Sequence, residues 1–141
     1  QGTVDKFIGD AVMATFGTPV TRGNDAQNAI SCAREMQISM REWAKLRTEL
    51  GKPIIKHRIG IHYGRCVVGN IGSKDRMEFA VIGDTVNVAS RICDACKEVD
   101  AQILISENVK NQSNEELQTE EISDFKIRGR EETMKLHKIV L

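Results

Sequence analysis

Residues 3–8 (TVDKFI) and 11–16 (AVMATF) each alternate apolar and polar side chains, and only Gly9 and Asp10 stand between them. A period of two, in runs rich in β-branched and aromatic residues, is the pattern of a half-covered β-strand. A two-residue break with glycine first is the signal of a tight hairpin, because glycine accepts the positive φ that such turns need. The chain is thus committed near its start to an antiparallel pair, and the rest of the fold has to build around it.

Periodicity divides the remainder. From Asn24 or Asp25 as N-cap, Ala26, Ala29, Ile30, Ala33, Met36, Met40 and Trp43 recur at helical spacing until Gly51 and Pro53 end the run, which predicts a long amphipathic helix. Residues 55–62 (IKHRIGIH) and 66–71 (CVVGNI) read as strands, followed by a polar turn over 72–76 and a third strand, MEFAVI. Residues 85–98 are helical, AQILI is a short buried strand, and Ser106 caps a short helix before strands near 117–127 and 133–140. Strands and helices are interleaved rather than segregated, which favours a sheet with helices packed on it. There are no internal repeats and no low-complexity linkers, so 141 residues are expected to form one domain, large enough to bury roughly two thirds of its unfolded surface.

Composition removes several function classes. Lys plus Arg and Asp plus Glu stand at 20 each, so no overall basic field steers the chain onto nucleic acid or an anionic membrane. No apolar run approaches the ~20 residues that span a bilayer, and nothing at the start has signal-peptide organisation. Cys32, Cys66, Cys93 and Cys96 are not spaced as a disulfide framework, which points to reduced thiols in the cytoplasm. Cys93-Asp94-Ala95-Cys96 is a CxxC, but it lies in a helical run without a second pair of ligands, so helix packing is expected of it rather than zinc binding.

Three places carry possible chemistry. At the hairpin tip, Asp10 is ordinary turn chemistry on its own, yet a carboxylate on a rigid tip also suits Mg²⁺, which takes a few carboxylates together with substrate phosphates. In the helix over 85–98, Asp84, Asn87, Arg91, Asp94 and Glu98 fall on one stripe, with Val86, Val88, Ala89, Ile92 and Cys93 as the apolar face. Asn87 and Arg91, one turn apart, present an amide beside a guanidinium that matches phosphate oxygens. In KIRGR, strand alternation would put Lys126, Arg128 and Arg130 on one face, either as a charge-protected edge or as an anion site. The glycines of VVGNIGS form no phosphate-loop fingerprint and read as turn and close-approach residues.

Taken in succession, VDKFIGDAVMATFG, RIGIHYGRCVVGNIGS and RMEFAVIGDTVNVASRI resemble the class III nucleotidyl cyclase catalytic domain in order, spacing and wording across nearly the whole chain. The resemblance implies an α/β (α+β), ferredoxin-like, palm-type domain with a central, mostly antiparallel sheet, acting as a head-to-tail homodimer whose two chains share each active site. It implies that Asp10 is the second of two aspartates that hold two divalent ions, Mg²⁺ or Mn²⁺. Lys6 matches the purine-selecting position, where lysine goes with adenine and hence ATP. Asn87 matches the residue that orients the ribose, and Arg91 the one that stabilises charge on the α-phosphate, both facing the metal-binding aspartates of the opposite chain.

Departures from the family pattern are also legible. The first metal-binding aspartate belongs to a strand upstream of the opening hairpin, before residue 1, together with helices that help to form the dimer. Residues 1–141 alone are therefore expected to be inactive and to expose apolar surface, whereas a longer parent, membrane-attached or not, is expected to be an adenylate cyclase. The usual Asp or Thr partner of the adenine-selecting lysine is Ala80, which has no side-chain hydrogen-bonding group. Arg128 stands where a lysine usually contacts the triphosphate, preserving charge but not geometry. The alternative, from a different class, is a cyclase-like module that binds nucleotide or dimerises without turnover.

Overall fold

A computed structural model describes residues 2–141. The opening hairpin pairs β1 (Thr3–Ile8) with β2 (Ala11–Thr15) so that Ile8 faces Ala11 and only Gly9 and Asp10 form the loop. Gly9 has φ +61 while Asp10 keeps a negative φ, the pattern of a type II′ turn with glycine first. The ladder is irregular between Val4 and Lys6, where Asp5 is an extra residue. This β-bulge breaks strict alternation.

The helix α1 (Asp25–Glu49) follows, then β3 (Ile59–Ile61), β4 (Val67–Ser73), β5 (Arg76–Ile82) and α2 (Asp84–Glu98). The chain continues through β6 (Ile103–Ser106), α3 (Glu107–Gln112), β7 (Thr119–Lys126) and β8 (Thr133–Ile139). Among the described residues the strands form one four-stranded sheet in the order β3-β6-β8-β7 and two separate hairpins, β1-β2 and β4-β5. The larger sheet is mixed: β3 and β6 run parallel, and the other two pairs are antiparallel.

Helices cover both faces of that sheet. Val88, Ile92, Ala95 and Cys96 of α2 pack with Leu104 and Leu136 on one side. On the other, Ala26, Ile30 and Ala33 of α1 and Val109 of α3 meet Ile103, Ile105 and Ile139. Neighbouring residues of β6 thus enter different cores, which is why its sequence is apolar without alternation.

Several expected boundaries move for identifiable reasons. The strand expected over 55–62 shrinks to three residues because β6 offers only Ile103–Ile105 for pairing. The polar turn expected over 72–76 contracts to Lys74 and Asp75, since Ser73 pairs with Arg76. Only the first half of α1 is packed: Met36 and Trp43, expected in its apolar face, are largely exposed, and Gln37 is buried in their place. The Gln37 amide is accommodated because Nε2 donates to the carbonyls of His57 and Gln102, each at 3.4 Å.

Candidate functional site

The helix α2 is fixed to the sheet by an unusually close approach. A Cβ on Gly60 of β3 would lie 2.2 Å from the Cys93 nitrogen and 2.8 Å from the Ala89 carbonyl oxygen, so only glycine fits. Cys93 Sγ donates to the Arg58 carbonyl at 3.4 Å and Cys96 Sγ to the Ile59 carbonyl at 3.5 Å. The CxxC therefore spends both thiols on the backbone around β3, the packing role expected of it. Burial pushes the Cys96 thiol up to about 12 and raises Cys93 as well.

With one face of α2 so held, the other is set in space. Asp84, Asn87, Asp94 and Glu98 are exposed and Arg91 is half-buried, as the stripe predicts. The apolar face is rotated from expectation: Ala95 and Cys96 reach the core, whereas Val86, Ala89 and Cys93 sit half-buried at its flanks.

The structure corrects the reading of KIRGR. β7 ends at Lys126, and the Arg130 N–H donates to the Ile127 carbonyl at 3.1 Å, closing a β-turn with Arg128 and Gly129 at its corners. Gly129 has φ +80, as a type II turn requires. Lys126, Arg128 and Arg130 therefore do not share a strand face. Arg130 instead forms an ion pair with Asp84, and the Arg91 guanidinium lies against Gly129. Arg128 is exposed at the corner.

Behind this cluster, His62 Nδ1 is 2.8 Å from Ser106 Oγ. Ser106 occupies the N-cap of α3 as expected, but its hydroxyl makes no capping bond. Burial lowers the His62 pKa, the Arg130 charge lowers it further, and Asp84 opposes both. Beyond Ser106, the fully buried His137 ring is hydrogen-bonded to Glu107 through Nε2.

The other expected site residues lie on the two hairpins. Asp10 is exposed at the β1-β2 tip. It fits a hard cation as a single oxygen donor: no three His, Cys, Asp or Glu side chains among the described residues converge as a cage, so further ligands would have to come from elsewhere. Lys6 is half-exposed and its Nζ is 3.5 Å from Asp5 Oδ2. Asp5 went unnoticed in the sequence because nothing in its spelling marks a bulge. Its side chain is only 7% exposed, and Oδ2 has no hydrogen-bond partner among the described residues. Ala80 is half-buried in β5 opposite Gly69 of β4, so no side-chain polar group stands at that pair. The β1-β2 hairpin packs chiefly on itself and α2 on β3 and β6, so Lys6 and Asp10 are grouped apart from Asn87, Arg91 and Arg128.

Comparison with known proteins gives this arrangement its context. Residues 4–140 match the family described as the adenylate and guanylate cyclase catalytic domain. The chain is 32% identical over 140 residues to adenylate cyclase 1 of Rhizobium meliloti (strain 1021), covering 99% of this chain and 21% of that protein. It is 37% identical over 145 residues to an adenylate cyclase of Anabaena cylindrica, covering 98% of this chain and 28% of the relative. The chain thus spans a minor part of the length of these curated relatives. Among solved structures, the adenylyl cyclase CyaB from P. aeruginosa superposes with a TM-score of 0.85 at 31% identity, over 99% of this chain and 72% of that one. The guanylyl cyclase Cya2 superposes with a TM-score of 0.80 at 30% identity, over 98% and 69% respectively. With residues 4–140 matched to that family and these relatives matched along nearly its whole length, the chain belongs to the class III adenylate and guanylate cyclase catalytic-domain family.

Proposed function

We propose that this chain contributes the catalytic machinery that converts ATP to 3′,5′-cyclic AMP and pyrophosphate. The observation that carries the reading is the guanidinium of the half-buried Arg91, one helical turn from an exposed Asn87 and beside the turn that exposes Arg128. That is a donor set for a triphosphate. The named adenylate cyclases among the relatives and the lysine at position 6 support adenine over guanine.

In the reaction the ribose 3′-oxygen loses its proton and bonds to the α-phosphorus, while the bond from that phosphorus to the bridging oxygen breaks and pyrophosphate leaves with the electron pair. Asn87 holds the ribose so that the 3′-oxygen stands in line. Arg91 donates to the α-phosphate oxygens as their charge builds, and Arg128 holds the outer phosphates. Lys6 reads the base edge, without a side-chain partner at Ala80. Asp10 would hold Mg²⁺ or Mn²⁺, two ions completing each site with further ligands, and bound metal supplies acidification of the 3′-hydroxyl and neutralisation of the leaving group. Because Asp10 and Arg91 are grouped apart, the proposed site joins the hairpin of one copy to α2 of a second.

The test is cyclic nucleotide formation from ATP and from GTP, with Mn²⁺, by the full polypeptide that carries this sequence. Cyclic AMP is expected to predominate. Arg91→Ala is expected to lower kcat by about 10²–10³ with a small change in KM, as for removal of one transition-state donor. Nucleotide binding without any cyclic product, in wild type and variants alike, would instead establish the non-catalytic module.

A further inference from the structure

The turn after β7 is tied to α2 at two points. Arg130 pairs with Asp84, the first residue of the helix, and Gly129 meets Arg91, seven residues and two turns further along the same face. A Cβ on Gly129 would stand 3.0 Å from Arg91 Nη1 and 3.3 Å from both Cζ and Nη2. Such similar distances to three atoms of a planar group mean that the guanidinium lies broadside over the bare glycine. The φ of +80 and the Ile127–Arg130 hydrogen bond hold the glycine in that place.

The ion pair is partly open to solvent, with the Arg130 and Asp84 side chains 39% and 68% exposed, so it adds little to stability. Its consequence is placement: it anchors the turn to the helix that carries Arg91, and it occupies Arg130. Arg128, exposed and without an ion pair among the described residues, is left as the free cation of the turn.

We propose that Gly129 and the Asp84–Arg130 pair are positioning elements for Arg91, forming a rigid backbone seat that presents its guanidinium to the α-phosphate. This rests on the assignment of Arg91 to the cyclisation reaction. The seat explains why a turn rather than a strand follows β7: the corner brings a residue without a side chain to the guanidinium, and the next residue to Asp84.

The experiment measures kcat, KM for ATP and Tm in the full polypeptide that carries this sequence, for Gly129→Asn, Asp84→Asn, Arg130→Gln, the double Asp84→Asn/Arg130→Gln, and Arg91→Ala as reference. Asparagine accepts a left-handed φ, so the turn persists, but its Cβ displaces the guanidinium by a few tenths of an ångström. A fall of about tenfold in kcat is expected for Gly129→Asn, with KM within about twofold and little change in Tm. Asp84→Asn and Arg130→Gln should each lower kcat about threefold to tenfold, and the double variant no further than the worse single, because the pair acts as a unit. Wild-type kcat in the Gly129 and pair variants, with Arg91→Ala impaired, would overturn the seat and leave the catalytic reading standing. A rise in KM at unchanged kcat for Arg130→Gln would also overturn it, since Arg130 would then be holding phosphate itself. Full activity in Arg91→Ala would remove the catalytic reading and the seat with it.

Discussion

Cysteine and histidine side chains show how far a single residue's chemistry is set by its surroundings. Cys32 is exposed on α1, whereas Cys96 is buried, donates to a carbonyl and has its pKa pushed up to about 12. Reactivity follows the thiolate, so at neutral pH Cys32 is expected to react with iodoacetamide first and Cys96 only on unfolding. Mass-spectrometric labelling against time checks the order; early loss of Cys96 would contradict the packing described for α2. For His57 and His62 the shift is downward, through burial in both cases. The unfolded chain then takes up protons first as pH falls. The stabilisation is complete above about pH 6.5 and is lost as pH falls through the lowered folded values. Tm measured from pH 8 to 5 should therefore decline, and the decline should be shallower in His57→Gln/His62→Gln.

Elements meet at fewer points than their lengths suggest, and Gly60 is the sharpest of them. Its absent side chain lets β3 touch the α2 backbone, and the two thiols are hydrogen-bonded only because of that closeness. Gly60→Ala puts a carbon against backbone atoms that cannot rotate away, so the helix must lift. The expected cost is about 1–3 kcal/mol, the range for overpacking, read from urea unfolding. Since α2 carries Asn87 and Arg91, activity of a cyclase-competent form should fall as well. The link between α3 and β8 through Glu107 and His137 behaves differently. Glu107→Ala leaves the buried imidazole without its partner, with an expected loss of about 1–3 kcal/mol, whereas Glu107→Gln keeps a hydrogen bond and should recover part of it.

At the scale of the whole molecule, the separation of the β1-β2 hairpin from the α2 cluster is the dominant fact. Phe7 of β1 is 76% exposed, and Met77, Phe79 and Ile82 of β5 are also open although Val81 between them is buried, so both hairpins present apolar side chains at their surface. If the proposed site is shared between copies, Asp10→Ala and Arg91→Ala are each inactive alone, yet a mixed dimer retains one site with both residues intact. An equal mixture should recover roughly a quarter of wild-type activity, because half of the dimers are mixed and each has one working site. No recovery on mixing, with exchange of subunits verified, would place Asp10 and Arg91 in the same chain's site.

Element type and order were legible from local signals alone: Gly9-Asp10 marks a hairpin turn, period 3.6 marks α1 and α2, and an unbroken apolar run marks β6. These depend on neighbours in the chain, and so does the candidate set of Lys6, Asp10, Asn87 and Arg91, which stands in contiguous motifs. The contact of Arg91 with Gly129 was not legible, because it joins residues 38 positions apart through a turn that the spacing of basic residues disguised as a strand. Nor were the burial of Gln37 and the shortness of β3, each decided by partners distant in sequence, or the bulge at Asp5, which no residue of the hairpin's pattern marks. The amino-acid sequence by itself determined the type and order of the strands and helices and which side chains carry charge. Only the tertiary structure decided which charges are spent on each other, as Arg130 is on Asp84, and which remain open to a substrate, because that depends on distances between elements that no local pattern encodes.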